Sequence, residues 1–104
     1  MTVISRQVDQ EIVIGEHLSV APTDIDARGV RLIARGQYLG GERDGERFES
    51  AHELACGQSL ALGPLVTITL TEVVGPRARF AIFSPPHLPA VRREVYERRN
   101  DRPA

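Results

Sequence analysis

Residues 57–74, GQSLALGPLVTITLTEVV, repeat without a gap the pattern of residues 9–26, DQEIVIGEHLSVAPTDID. The offset is constant, because 57 minus 9 and 63 minus 15 both give 48. Matched pairs at this offset include Gln10 and Gln58, Gly15 and Gly63, Thr23 and Thr71, and Arg31 and Arg79. Strand alternation alone aligns apolar positions, but these matched residues lie outside the alternation. The pattern therefore indicates an internal duplication.

The length of the chain limits how two such copies can fold. With 104 residues, the chain has the size of one compact domain. Two copies must then share a single hydrophobic core, which favours an intertwined arrangement over two independent units.

Composition narrows the class of protein. The hydrophobic fraction of 41% and the charged fraction of 26% are ordinary for a soluble globular domain. No apolar run approaches the roughly 20 residues that a membrane span needs. The N-terminus, MTVISRQVDQ, lacks the basic and apolar blocks of a secretory signal, and the lone Cys56 has no partner for an internal disulfide. We expect a cytoplasmic protein with no membrane role.

Hydrophobic periodicity predicts a mostly β fold. Apolar and polar residues alternate, as they do in half-buried strands, in the stretches TVISRQV, EIVIGEHLSVAPTDI and LVTITLTEVV. GVRLIARG and ARFAIFSPP follow turn-forming stretches and predict two more strands. The segment RREVYERRN, after the proline-rich SPPHLP, predicts one short C-terminal helix.

Charge is unevenly distributed along the chain, although the net charge is only -1. All cationic side chains are arginines, whose planar guanidinium binds phosphate in a bidentate manner and stacks on bases. Five of them fall in the C-terminal stretch, at Arg92, Arg93, Arg98, Arg99 and Arg102. The middle of the chain is acidic instead, with Glu42, Asp44, Glu46, Glu49 and Glu53. A solvated helix surface is the alternative explanation for the arginines.

The sequence offers little that an enzyme would need. His17, His52 and His87 are scattered, and their spacing with the single cysteine does not resemble a zinc site. Cys56 has apolar neighbours and is predicted to be a small buried residue rather than a nucleophile. We expect no catalytic residues, no metal and no cofactor.

Several stretches together resemble the carbon storage regulator family (CsrA/RsmA). ISRQVDQEIVIGEHLSV is similar to the start of that family's chain, whose first strand runs Leu-Thr-Arg-Arg-Val-Gly-Glu. GQSLALGPLVTITLTEVVGPRARFAIFSPP followed by AVRREVY resembles its second strand through to its Val-x-Arg-Glu-Glu-Ile-Tyr ending. The sequence departs from the family pattern at two places. Gln7 replaces the second arginine, and Asp9 and Gln10 replace Gly-Glu.

The resemblance implies a fold. Family members are dimers of small five-stranded chains, in which the first and last strands of one chain interleave with the middle strands of the other. This sequence would then be a single-chain pseudo-dimer that forms one domain over residues 1–104. We expect the protein to be a monomer. Its two repeats would cover approximately residues 1–47 and 48–104, joined by an acidic linker near residues 40–49.

The resemblance also implies a function and a site. The family consists of translational regulators that bind GGA-containing RNA hairpins at composite sites, built from the first strand of one chain and the last strand of the other. The first-strand positions carried over here are Ile4, Ser5 and Arg6. The last-strand positions are Ala90, Val91, Arg92 and Arg93, with Arg92 as the key arginine in the gapless register, or Arg93 if the loop PPHLP holds one extra residue.

The two composite sites would differ. At the offset of 48, Arg6 corresponds to Leu54 and Arg92 corresponds to Asp44. An aspartate facing a phosphate is repulsive, so we expect one working RNA site and one inactive site. The alternative is a degenerate member of the family with little RNA binding, which docks another protein through its acidic half or antagonises ordinary members.

Overall fold

The structure is a computed structural model that describes residues 1–100, with side chains as far as Arg98. Arg102 and the side chain of Arg99, both counted in the basic C-terminal stretch, lie outside this described part. Nine strands and one helix follow in chain order: β1 Thr2–Arg6, β2 Ile12–Ile14, β3 Leu18–Asp26, β4 Gly29–Gln37, β5 Arg47–Ala55, β6 Ser59–Ala61, β7 Thr67–Val74, β8 Arg77–Phe83, β9 Ala90–Arg92 and α1 Arg93–Asn100. The predicted mostly β class with one short C-terminal helix is confirmed.

The strands form two antiparallel sheets. The four-stranded sheet has the order β1-β8-β7-β6, and the five-stranded sheet has the order β5-β4-β3-β2-β9. Each sheet contains strands from both halves of the chain, since β1 pairs with β8 while β5 pairs with β4. The last strand, β9, pairs with β2. Neither half therefore forms a sheet from its own strands alone.

One core lies between the two sheets. Most apolar residues of the predicted alternation are buried, namely Ile12, Ile14, Leu18, Val20, Val66, Ile68 and Leu70, but Val3 on β1 is exposed. Phe80 and Leu32 are fully buried beside them. Burying each side chain of this size stabilises the fold by about 1.5–3 kcal/mol. Alternation along each strand directs these residues inward and leaves polar residues on the outer faces.

The matched polar residues of the repeat make the same contacts in both halves. The side-chain oxygen Oε1 of Gln10 accepts a hydrogen bond from the Gln7 amide at 2.9 Å, and Oε1 of Gln58 accepts one from the Ala55 amide at 2.9 Å. At the β-bulges, Thr23 and Thr71 each donate their hydroxyl hydrogen to a carbonyl oxygen on the neighbouring strand, over 3.3 Å and 3.0 Å. These bonds explain why glutamine and threonine recur outside the alternation.

The connection between the halves is a hairpin loop rather than a separate linker. The sequence predicts a linker near residues 40–49, but β5 begins at Arg47 and pairs with β4 from there on. The remaining loop closes where the Tyr38 amide donates to the Glu46 carbonyl at 3.0 Å and the Gly45 amide to the Tyr38 carbonyl at 2.9 Å. Tyr38 stacks on Phe48 with 4.2 Å between ring centroids, which anchors the loop on the start of β5.

Candidate nucleic-acid interface

Residues from the two ends of the chain meet where β1 borders the four-stranded sheet and β9 borders the five-stranded sheet. The guanidinium of Arg6 donates two hydrogen bonds to the carboxylate of Glu94, one from Nη2 to Oε1 at 2.9 Å and one from Nη1 to Oε2 at 3.2 Å. Arg6 ends β1, and Glu94 lies in the first turn of α1, immediately after β9. This paired contact fixes the first strand beside the last strand, although the two residues are 88 positions apart.

Arg6 is an internal residue. Only 4% of its surface is exposed, and its Nε atom is buried without a hydrogen-bond partner among the described residues. The hydrogen bonds from Arg6, followed by one from the Glu94 backbone amide, hold the pKa of the Glu94 carboxyl below its ordinary value. The guanidinium is therefore occupied by Glu94 and shielded from solvent. Of the first-strand positions, Ile4 is also buried, while Ser5 is partly exposed.

The backbone of β9 has one side engaged and one side open. The Gly15 amide donates to the Pro89 carbonyl at 3.0 Å, and the Arg93 amide donates to the Glu11 carbonyl at 3.0 Å. In an antiparallel pair the bonding direction alternates along the strand, so the amides and carbonyls of Ala90 and Arg92 point away from β2. The Ala90 side chain is buried, whereas Arg92 is exposed.

The two candidate arginines have different surroundings. The Arg93 guanidinium lies 3.1 Å from Oε2 of Glu11 and 3.8 Å from Oε1 of Glu97, and its Cζ lies 5.9 Å from the centroid of the Tyr96 ring. Glu11 also accepts a hydrogen bond from Arg35 at 2.9 Å, so Arg93 belongs to a network that joins α1 to β2 and β4. Arg92 takes part in no ion pair within the described residues and is the arginine available to an external phosphate.

The corresponding region of the other half is built differently. Leu54, the counterpart of Arg6, is buried and pairs with Val30. Asp44, the counterpart of Arg92, lies in the hairpin loop, where its carboxylate accepts a hydrogen bond from the Gly40 amide at 2.7 Å. Within residues 1–100, no strand lies beside β6 in the way that β9 lies beside β2. The second region therefore lacks both the arginines and the strand of the first.

Among the described residues, the other reactive side chains do not form a second site. Ser50 Oγ lies 2.6 Å from Nε2 of His52, but no acidic side chain is recorded as a hydrogen-bond partner of this histidine among the described residues. The prediction that Cys56 is buried is wrong, because the residue lies in the turn after β5 and is exposed. Across the described chain, His, Cys, Asp and Glu do not cluster in threes as a metal ion would require. The only helix found there, α1, is too short and too polar to cross a membrane.

Comparisons with protein family models, curated proteins and solved structures find no match to this chain.

Proposed function

We propose that this protein is an RNA-binding translational regulator of the carbon storage regulator type, which recognises GGA-containing hairpins through one composite site. The observation that carries the proposal is the juxtaposition of β1 and β9, joined by the bonds between Arg6 and Glu94, with Arg92 exposed beside them. Such a regulator works where transcripts meet ribosomes, so the proposal implies a cytoplasmic protein.

The strand order supports the pseudo-dimer on which the proposal depends. The resemblance implies that the first and last strands of each repeat lie in the sheet of the other repeat. Here β1 lies beside β8 and β9 lies beside β2, as that interleaving requires. Gln10 and Gln58 make equivalent hydrogen bonds, each within its own half, and so do Thr23 and Thr71. These matched bonds further support two equivalent repeats.

Each part of the site has a role in this proposal. Proteins that read RNA sequence bind unpaired bases, such as those of a hairpin loop, because the edges of these bases are accessible. The open amide and carbonyl of Ala90 and the open amide of Arg92, with Ser5 on the neighbouring edge, supply donors and acceptors for those bases, while the Arg92 carbonyl accepts the first hydrogen bond of α1. Arg92 neutralises a phosphate, and the Arg6 side chain positions the two strands instead of contacting RNA.

A single site has consequences for affinity. A regulator with two sites can bind two motifs in one transcript and gain from the effective concentration of the second motif. The chain proposed here lacks that gain, because Leu54 and Asp44 occupy the positions of the second pair of arginines. It would bind one hairpin per chain, and its affinity for a transcript would depend on how well that one hairpin fits the site.

The test is a titration of a fluorescent hairpin RNA that displays GGA in its loop, against a matched CCA hairpin, at two salt concentrations. We expect saturation at one RNA per chain, loss of binding with CCA, and a roughly tenfold weaker affinity for Arg92→Ala. Arg28→Ala is the matched control, because Arg28 is exposed in the turn between β3 and β4, neither of which pairs with β9. Two RNAs per chain would contradict the single site, and equal binding of GGA and CCA would contradict the function.

A protein-interaction module is the second candidate. The exposed acidic residues Glu42, Asp44 and Glu46 form a surface that disfavours RNA and suits a basic partner. If the titration shows no dependence on GGA, this candidate replaces the first one.

A further inference from the structure

The strand β6 forms an edge of the four-stranded sheet, and within residues 1–100 its only partner is β7. Ser59 and Ala61 of this strand are exposed, and Leu60 is partly exposed. In the other sheet, the corresponding strand β2 lies between β3 and β9, and all three of its residues are buried. The two sheets therefore differ by one strand at equivalent places.

The hydrogen bonds of β6 show which of its backbone groups are open. The Leu70 amide donates to the Gln58 carbonyl at 3.0 Å, and the Leu62 amide donates to the Val66 carbonyl at 2.9 Å. Bonding direction alternates in an antiparallel pair, so the even-numbered residues face β7, and the amides and carbonyls of Ser59, Ala61 and Gly63 face the open edge.

The same groups in β2 show what such an edge accepts. Adding 48 to Glu11, Val13 and Gly15 gives Ser59 and Ala61 of β6 and Gly63 just after it. At β2, the Glu11 carbonyl and the Gly15 amide each bond to the backbone of β9 or a residue next to it, at 3.0 Å, and Val13 pairs with Val91. The pairing of β9 with β2 therefore shows what kind of strand can complete an edge of this type.

No described segment of the chain fills the equivalent place. Leu39 and Gly40 run close to Gly63 and Leu65, but the loop then turns back into β5 instead of continuing along β6. The protein's own β9 is already paired with β2. The β6 strand of a second copy carries no charged residue, so it has nothing to complement the acidic loop of residues 42–46 that adjoins this edge.

We infer that the β6 edge binds an extended segment of a partner protein with the chemistry of β9 and α1, by strand addition to the four-stranded sheet. The charge of the surroundings favours such a segment over others. The stretch 56–63, CGQSLALG, has no charged residue to repel an incoming strand, unlike edges that are protected by lysine or glutamate. The adjoining loop exposes Glu42, Asp44 and Glu46 against the single Arg43, which complements a segment rich in arginine.

The proposal is tested with a synthetic peptide of residues 87–98, HLPAVRREVYER, as the probe. Amide hydrogen exchange of the intact protein is followed by NMR with and without the peptide. We expect fast exchange at Ser59, Ala61 and Gly63 in the free protein, slowed at least about tenfold at saturating peptide, because each amide gains or is covered by a strand partner. Exchange at Val13 and Gly15 should stay unchanged, which excludes displacement of the protein's own β9.

Two matched variants locate the binding. Ala61→Pro removes the open amide of β6 and should weaken peptide binding at least about tenfold. Ala51→Pro makes the same change on β5, the free edge of the other sheet, and should leave peptide affinity unchanged. The unfolding temperatures of both variants report whether they fold. If either variant does not fold, the hydrogen-exchange measurement on the unmodified protein tests whether the peptide binds at β6.

Three outcomes would overturn the inference. Amides at Ser59 and Ala61 that are already protected in dilute free protein would mean that the edge is filled. Protection that depends on protein concentration would make a second copy the occupant. Peptide that binds without protecting these amides would place the interaction elsewhere. RNA binding at the composite site is a separate measurement, so a failure here leaves that proposal standing.

Discussion

The ion pair of Arg6 and Glu94 is asymmetric in its exposure. The side chain of Arg6 is 5% exposed, whereas that of Glu94 is 52% exposed. Removing the carboxylate leaves a buried guanidinium without its partner, while removing the guanidinium leaves a carboxylate that water can hydrate. Leu54 occupies the position equivalent to Arg6 in the other half and is equally buried, so an apolar side chain suits this environment.

This asymmetry predicts an order of stability among three variants. Glu94→Gln should be the least stable, because the Arg6 charge stays buried without compensation. Arg6→Leu, and Arg6→Leu combined with Glu94→Gln, should lie within about 1 kcal/mol of the wild-type free energy of unfolding, since replacing a buried ion pair by apolar packing is often neutral. Urea denaturation of the four proteins measures the order. A double variant that is less stable than Glu94→Gln would show that the buried charge is not what destabilises the single variant.

The lowered pKa of Glu94 also predicts a pH dependence. A carboxyl whose pKa is lower in the folded than in the unfolded state contributes stability above its unfolded pKa and loses it as pH falls through the folded pKa. The difference in unfolding temperature between wild type and Glu94→Gln should therefore be full at pH 7 and shrink as the pH falls below about 4.5. Calorimetry between pH 7 and pH 3 measures it. Glu16→Gln, at an exposed residue that makes no ion pair with the described residues, is the matched control for the loss of one carboxylate.

Among single residues, the sequence was informative about positions and less so about partners. The repeat drew attention to the matched polar residues, and the resemblance drew attention to Arg6. It did not indicate Glu94 as the partner of Arg6, because that contact depends on β9 and α1 folding back beside β1. Arg79 pairs at 2.9 Å with Glu72, its cross-strand neighbour on β7, whereas the matched Arg31 pairs with Glu53 on β5 and not with its own neighbour Asp24 on β3.

At the scale of elements, β5 was the hardest strand to predict. Its inward positions are Phe48, Ser50, His52 and Leu54, and two of these four are polar. Apolar alternation is therefore too weak to mark the strand, and its first residues fell within the predicted acidic linker. The strands with inward isoleucine, leucine or valine at every second position were predicted from the pattern alone, because their alternation reports burial directly.

The close pairing of the end of β4 with the start of β3 predicts a position that tolerates only glycine. A Cβ atom on Gly36 would lie 1.9 Å from the carbonyl oxygen of His17, and its φ angle is +130°. Gly57 also has a positive φ, at +90°, but a Cβ there meets nothing within 4 Å. Gly57→Ala should cost about 1 kcal/mol from backbone strain alone. Gly36→Ala should cost more than about 3 kcal/mol, because strands β3 and β4 must separate.

Thermal and urea denaturation of the two alanine variants measure this difference. Both substitutions add the same atom at a positive φ, so an excess cost at Gly36 reports its contact with His17 together with its less favourable φ. Equal destabilisation by the two would mean that β4 moves away from His17 at little cost.

At the scale of the whole molecule, the halves hold each other together. β1 of the first half completes the sheet of β6, β7 and β8, while β5 and β9 of the second half border the sheet of β2, β3 and β4. The core residues of both sheets form a single cluster between them. Each half alone would expose the apolar face of its three middle strands, so stability belongs to the pair and not to either half.

This organisation predicts how the protein behaves when its backbone is cut. A protease site inserted between Arg43 and Asp44 lies in an exposed loop, away from the strand pairings. After cleavage, the two fragments should remain associated, with unchanged β-sheet circular dichroism, because β1, β5 and β9 still pair across the cut. Unfolding becomes bimolecular, so each tenfold dilution should lower the apparent free energy of unfolding by about 1.4 kcal/mol and the unfolding temperature by about 4–8 °C.

The uncut protein with the same insertion is the control, and its unfolding temperature should not depend on concentration. Fragments that separate in size-exclusion chromatography and unfold independently would contradict the interleaved arrangement, and with it the composite site, because that site takes one strand from each fragment.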